Sequence, residues 1–224
     1  MEDAEIAALV AKEAQNGLRL ATDGEFRRSW WHFDFFGMLD GVEVVELDHG
    51  IQFQGVQTRP LGLQVGGRIG FSDTHPFLAH FRALADATAA TGATPKFTIP
   101  APTVFDFRLE PAGITTGLYA DRDALVPDLV QAYRDAVQAF YDAGCRYLQF
   151  DDTAWAYLCS PEELEKAAAR GIRTEGIGER YSAMLNAILE AKPADMTITT
   201  HVCRGNFRST WISSFRPSTR RRSR

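Results

Sequence analysis

His201 and Cys203 stand two residues apart in Thr200-His201-Val202-Cys203. On an extended backbone, residues i and i+2 point to the same side. An imidazole and a thiolate so placed could reach one ion, and zinc suits both donors. Zinc takes three or four protein ligands. Cys159 is a candidate third, Cys145 falls at the start of an apolar run, and no Asp, Glu, His or Cys follows Cys203. The spacing fits a zinc pair, a plain loop pair or a cysteine nucleophile. Asp151 and Asp152 close the run Tyr147-Leu148-Gln149-Phe150. Strand alternation sends adjacent side chains to opposite faces, so one of the two is expected to enter a site. There it would bind an ammonium group or act as acid or base. The other reading is a helix-capping or ion-paired couple. Asp23-Gly24-Glu25-Phe26-Arg27-Arg28 packs two acids and two arginines around a glycine. It reads either as Glu25 in a site, with an arginine for an anion, or as a tight turn with surface ion pairs.

Other groups carry less chemistry. Trp30, Trp31, Phe33, Phe35 and Phe36 could stack on a flat ligand, but such runs are more often core. His32, His49, His75 and His80 have no partner at a ligating spacing. Gly62, Gly66, Gly67 and Gly70 lie in a β-like stretch, and no phosphate-binding glycine fingerprint follows a strand. A nucleotide site is not expected.

The elements that position these residues follow from periodicity. Asp3–Gln15 reads as a helix with Ile6, Leu9 and Val10 on one stripe. Leu18–Ala21 reads as a short strand, and Phe26–Phe36 as a buried helix. Val42–Leu47, Ile51–Val56, Leu61–Val65 and Arg68–Phe71 are β-like runs, with turn signals at Asp48-His49-Gly50 and Gly66-Gly67. Thr74–Thr91 returns to helix, and Lys96–Ile99 is a strand running into Pro100-Ala101-Pro102-Thr103. Asp123–Ala143 is the clearest helix. Arg146–Phe150 is a strand. Ser160-Pro161-Glu162-Glu163 opens a helix with a capping box. Tyr181–Leu189 is a helix and Met196–Thr200 a strand. Strands alternating with helices predict a parallel α/β sheet. Four strand ends carry the polar residues above, as the mouth of an α/β barrel or of a doubly wound sheet requires.

The 224 residues form an ordinary globular composition, 45% hydrophobic and 24% charged, which excludes a disordered chain. No stretch reaches the roughly 18–20 apolar residues of a membrane span, and no signal peptide is expected. Three cysteines fit a reducing cytoplasm better than a disulfide framework. Seven of the 24 lysines and arginines are arginines after Cys203, so the first 203 residues set 17 bases against all 29 acids. An acidic body does not attract nucleic acid. The tail with Arg216, Arg220, Arg221, Arg222 and Arg224 reads as a disordered end.

Four segments together resemble the cobalamin-independent methionine synthase family, above all its shorter single-barrel members. They are Val10–Arg28 with Ala21-Thr22-Asp23-Gly24-Glu25-Phe26-Arg27, Lys96–Phe107 with Ile99-Pro100-Ala101-Pro102-Thr103, Tyr147–Asp152, and Thr200–Asn206 with His201-Val202-Cys203-Arg204-Gly205. The resemblance covers about residues 5–212. It implies a (β/α)8 TIM-type barrel over 1–212, with a β-hairpin excursion at about 42–71 and an arginine-rich tail over 213–224. It implies methyl transfer from 5-methyltetrahydrofolate, or another methyl donor, to the thiol of homocysteine, with zinc lowering the thiol pKa. His201 and Cys203 match zinc ligands, Glu25 matches an acid that binds the amino-acid substrate, and Asp151 matches the carboxylate that holds its ammonium group. The family's further Glu and Cys ligands and its late His have no counterpart here, and Asp152 replaces the usual Glu. The expectation is therefore an incomplete barrel, lacking its first strand and its last two, with no catalytic acid assigned. Exposed sheet edges would favour self-association. The other readings are a barrel acting on another thiol, as a coenzyme M-type alkyl transferase does, and a non-catalytic remnant.

Overall fold

In a computed structural model of the chain, residues 1–48, 52–53 and 56–203 are described. The expectations for His49, for the Asp48-His49-Gly50 turn, for part of the Ile51–Val56 run and for the arginine tail lie outside those residues.

The chain opens with α1 (Glu2–Gln15), β1 (Leu20–Ala21) and the single turn α2 (Phe33–Phe36). The β excursion follows as β2 (Asp40–Glu46), β3 (Gln52–Phe53), β4 (Val56–Gln57) and β5 (Leu61–Gly70). Next come α3 (Pro76–Thr88), β6 (Thr94–Pro100), α4 (Pro102–Arg108), β7 (Leu109–Ile114) and α5 (Arg122–Asp142). The chain continues through β8 (Tyr147–Asp152), α6 (Ala154–Leu158), α7 (Pro161–Ala169), α8 (Ile177–Leu189) and β9 (Thr197–Val202).

The central sheet has the order β1-β6-β8-β9, and every pairing in it is parallel. Helices link its strands, as parallel pairing demands. Among the described residues this sheet is open, with β1 and β9 at its edges. The closed barrel implied by the resemblance is not formed by them, while the parallel α/β plan is.

The excursion departs from expectation in two ways. Leu61–Val65 and Arg68–Phe71 are one strand, β5, which runs through Gly66-Gly67 without turning. The glycines serve close backbone approach instead. Gly41 sits at φ +72°, at a register shift between β2 and β5, and a Cβ there would lie 2.4 Å from the Arg68 carbonyl oxygen. Such a bulge needs a residue without a side chain. The excursion is also more than a hairpin, since β7 adds in parallel to β5 to give a three-stranded sheet β2-β5-β7. The helix expected over Phe26–Phe36 shrinks to α2, and the residues before it are turns.

Aromatic rings hold the centre. Phe35, Phe77, Phe97 and Phe140 are fully buried. Phe97 lies edge-on to Phe77 at 6.1 Å and tilted against Phe140 at 5.3 Å. Each such ring contributes about 1.5–3 kcal/mol by burial. This layer packs α3 and α5 on one face of the central sheet and leaves the other face for the polar strand positions.

Candidate functional site

Pairing in β6, β8 and β9 sets the site. Thr98 lies opposite Gln149, Pro100 opposite Asp151, and Asp151 opposite His201. Burial along β8 alternates strictly: Leu148, Phe150 and Asp152 are buried, and Tyr147, Gln149 and Asp151 are half-buried. Partners in a parallel ladder share a face, so Thr98, Gln149, Asp151 and His201 project to the same side. They line a cavity of about 360 Å³ with Glu25, Trp31 and Thr153.

The two adjacent aspartates therefore separate as alternation predicts. Asp151 faces the cavity, and its Oδ1 accepts a hydrogen bond from Gln149 Nε2 at 2.7 Å. Asp152 is fully buried. Its Oδ2 accepts from Thr103 Oγ1 at 2.6 Å and from Trp155 Nε1 at 2.7 Å, and its Oδ1 accepts from the Ala154 N–H at 3.0 Å. Burial pushes the Asp152 carboxyl pKa above its ordinary value, and these donors pull it partly back. Asp152 ties β8 to the starts of α4 and α6, a structural role, while Asp151 is the one of the two that lines the cavity.

Glu25 reaches the cavity from a tight loop after β1. Gly24 and Glu25 are both left-handed, at φ +62° and +58°. Gly24 suits that region, while a glutamate there costs about 1–3 kcal/mol and is kept only where its surroundings hold it. Asp23 Oδ1 accepts from the Glu25 N–H at 3.0 Å. Glu25 Oε1 accepts from Arg28 Nη1 at 3.0 Å and from Thr98 Oγ1 at 2.9 Å. The arginine expected to meet an anion does not face the cavity: the Arg28 side chain is only 2% exposed. Arg27 is turned to Asp3 on α1.

His201 lines the cavity at the end of β9, and Cys203 follows that strand by one residue. The Cys203 N–H donates to the Asp152 carbonyl at 3.1 Å. The donor types suit zinc, but among the described residues no group of three or more His, Cys, Asp or Glu could hold a metal. Cys159 adds no third donor to such a group, and Cys145 is buried, its thiol pushed up to about 12 by burial. The described residues therefore do not by themselves fit a zinc ion, and no chemical step is derived through one.

Two further histidines, His75 and His32, are built into the fold. His75 caps α3, its Nδ1 accepting from the Phe77 N–H at 3.2 Å, and its Nε2 lies 3.1 Å from the Phe35 carbonyl. His32 stacks on Phe33 at 4.1 Å, inside the aromatic cluster. A larger hollow of about 790 Å³ lies between α5, α8 and the loop before α8, with no residue of β6, β8 or β9 in its lining. Its arginines are engaged within the fold. Arg122 donates to the Asp106 and Leu109 carbonyls, Arg173 pairs with Asp123, and Arg180 meets the Arg173 and Glu175 carbonyls. Sequence reasoning missed Thr98 and Gln149, although each is a polar residue flanked by apolar ones in its strand, Phe97 and Ile99 beside Thr98 and Leu148 and Phe150 beside Gln149.

No family model matches the sequence. Two proteins of Bacillus subtilis (strain 168), both named as uncharacterized, are similar to it. YxjG is 45% identical over 214 residues, covering 95% of this chain and 55% of that protein. YxjH is 44% identical, covering 96% and 55%. The chain thus spans about half the length of the curated relatives it matches. Among solved structures, one from Listeria monocytogenes described as a "Putative Vitamin-B12 Independent Methionine Synthase" is 40% identical, with a TM-score of 0.71 over 92% of this chain and 55% of that one. A B12-independent methionine synthase from Shewanella sp. W3-18-1, in complex with selenomethionine, superposes with a TM-score of 0.62 over 91% of this chain and 52% of its own length. At 16% identity that likeness speaks for the fold alone. The chain is a mixed α/β protein with a parallel sheet, and its structural neighbours are proteins of the B12-independent methionine synthase kind. No helix among the described residues is long and apolar enough to cross a membrane.

Proposed function

We propose that the chain carries the amino-acid-binding half of a homocysteine S-methyltransferase site of the methionine synthase type. The observation that supports this most is the convergence of Glu25, from the loop after β1, and Asp151, near the end of β8 and 126 residues away in sequence, on one cavity with His201. Each carboxylate has one oxygen held by internal donors, Oε1 by Arg28 and Thr98 and Oδ1 by Gln149. Among the described residues the second oxygen of each accepts no hydrogen bond, which leaves it for a ligand. An ammonium group has three N–H donors and suits two such acceptors, each bond contributing about 1.5–3 kcal/mol when charged. The Trp31 indole gives the cavity an apolar wall for the methylenes of an amino acid. A cavity of this size lies at the small end of ligand sites, which span about 300–1,000 Å³.

In this reading His201 and Cys203 would be two of the donors to a zinc ion, although the described residues offer no third. A zinc ion held there would lower the pKa of the substrate thiol. The methyl donor would be 5-methyltetrahydrofolate or another methylated carrier. The test is calorimetric binding of L-homocysteine against 4-mercaptobutanoate, the same thiol without its amino group, on the full chain. Zinc content is measured beside a His201→Ala/Cys203→Ala double variant. The reading expects preference for the amino acid, lost in Asp151→Asn, and zinc that the double variant lacks. Equal binding of the two thiols would refute the carboxylate assignment. Zinc absent from folded, zinc-supplied protein would refute the metal assignment.

A further inference from the structure

We infer that Arg28 is the positioning residue for Glu25: with Thr98 it fixes which carboxylate oxygen a ligand's ammonium group meets. This rests on the amino-acid-binding reading above.

The Arg28 side chain is 2% exposed, so it cannot touch a ligand, whereas that of Glu25 is 35% exposed. The guanidinium lies beneath the glutamate, 4.6 Å from the centre of the Phe77 ring and 5.4 Å from that of Phe97. Those rings are fully buried, so the cation is held against the core. Its planar fork does two jobs at once. Nη1 donates to Glu25 Oε1 at 3.0 Å, and Nη2 donates to the Thr98 carbonyl at 2.6 Å and lies 3.2 Å from Thr98 Oγ1. That hydroxyl in turn donates to Glu25 Oε1 at 2.9 Å. The result is a closed ring of three groups, drawn from the loop after β1 and from the middle of β6.

The ring has two consequences. Oε1 is saturated by two donors, while Oε2 accepts no hydrogen bond from the described residues. The carboxylate therefore offers one oxygen in one direction. The ring also supplies the tertiary restraint that a glutamate at φ +58° requires. A lysine at position 28 would keep the charge, but an ammonium cannot span Oε1 and the Thr98 carbonyl as a rigid fork does. Position, not charge, is what Arg28 adds.

The experiment compares wild type, Arg28→Lys and Thr98→Val for affinity toward L-homocysteine and toward 4-mercaptobutanoate. Urea melts check that each variant is folded. The expected result is a loss of about tenfold in amino-acid preference for Arg28→Lys, the size of one charged hydrogen bond. Affinity for 4-mercaptobutanoate stays within about twofold, because that thiol never meets Glu25 through an ammonium. Thr98→Val moves in the same direction by a smaller factor. A purely structural role would weaken both thiols alike, and that result, or unchanged preference in both folded variants, overturns the inference. If wild type shows no preference for the amino acid, the binding reading itself has failed. Crystal structures of the two variants then decide. Glu25 Oε1 displaced from its wild-type position upholds the positioning role, and an unmoved carboxylate overturns it. If Arg28→Lys does not fold, Thr98→Val carries the same comparison.

Discussion

Neighbouring aspartates with opposite duties give the sharpest prediction. Asp152→Asn removes a buried charge that three donors address from fixed directions. The Ala154 amide points at Oδ1 and the Trp155 indole at Oδ2. An asparagine has only one carbonyl oxygen, so in either flip its NH₂ faces one of these N–H groups. Two charge-assisted bonds are weakened or lost, at about 1.5–3 kcal/mol each, less what is regained by no longer burying a carboxylate. The expected net cost is about 2–4 kcal/mol. For a chain of this size, at roughly 2–4 °C per kcal/mol, that lowers Tm by about 5–15 °C. Asp151→Asn is the control from the next residue. It keeps an oxygen for Gln149 on a half-buried position, and its stability should stay within about 0.5 kcal/mol of wild type. Its affinity for L-homocysteine should fall about 10–100-fold, the worth of one charged contact. Urea melts and calorimetry on both variants measure the four numbers. Equal destabilisation by the two substitutions, or a stability loss from Asp151→Asn alone, would refute the division of roles.

Other outcomes follow from the same contacts. Gly41→Ala should cost at least about 2 kcal/mol in a urea melt, because it combines a left-handed backbone with a Cβ driven onto the Arg68 carbonyl. Tyr181→Phe should cost about 1–2 kcal/mol by the same assay, since the phenol donates to the buried Asp106 Oδ2 at 2.8 Å. Burial, aided by the charge of Arg108, lowers His32 to about 3, and burial lowers His75 to about 4 against the bond from Phe35. Both stay neutral in the fold while the unfolded chain binds a proton below its ordinary value of about 6.5. Their stability contribution is complete above that pH and is lost as pH falls toward 4. At pH 5 each loss is about 2 kcal/mol, and His32→Phe should flatten the pH slope by one proton. In native protein at pH 8, Cys145 should stay inert to a disulfide reagent until the chain unfolds, because burial holds its thiol pKa at about 12.

What the sequence made legible was whatever a local period could carry. The amphipathic stripe of α5 and the apolar runs of β6 and β8 gave the parallel alternation, and two-residue periodicity separated Asp151 from Asp152. The misses have physical causes. Helix α4 escaped because Pro102 through Phe107 are all buried, which erases the polar face that marks a helix. Gly66-Gly67 looked like a turn because glycine pairs usually are, yet here Gly67 lets the Gly41 backbone approach. Strand β7 joins β5 across about 46 residues of chain, a pairing no local pattern announces. Arg28 was visible as a charge beside Glu25, but its burial depends on Thr98, Phe77 and Phe97, which only the fold brings near.

The site is a consequence of register more than of any single motif. Thr98, Gln149 and Asp151 share a face only because β6 and β8 pair in parallel with Thr98 opposite Gln149, and His201 joins them only because β9 pairs with Asp151 opposite it. A slip of one residue in β8 would carry Gln149 and Asp151 to the helix-covered face. It would drive Asp152 out of the triangle of Thr103, Ala154 and Trp155 and into the cavity. Asp152 is thus the pin that makes the slip costly: the bonds that bury it hold its neighbour at the cavity. Arg28 does for Glu25 what Asp152 does for Asp151, fixing from below a carboxylate that must stand partly in water. Both acids facing the cavity are held by buried charged residues that no ligand reaches. In the proposed reading, the charge placed this deep beside the strand ends serves to aim the two carboxylates at one ligand.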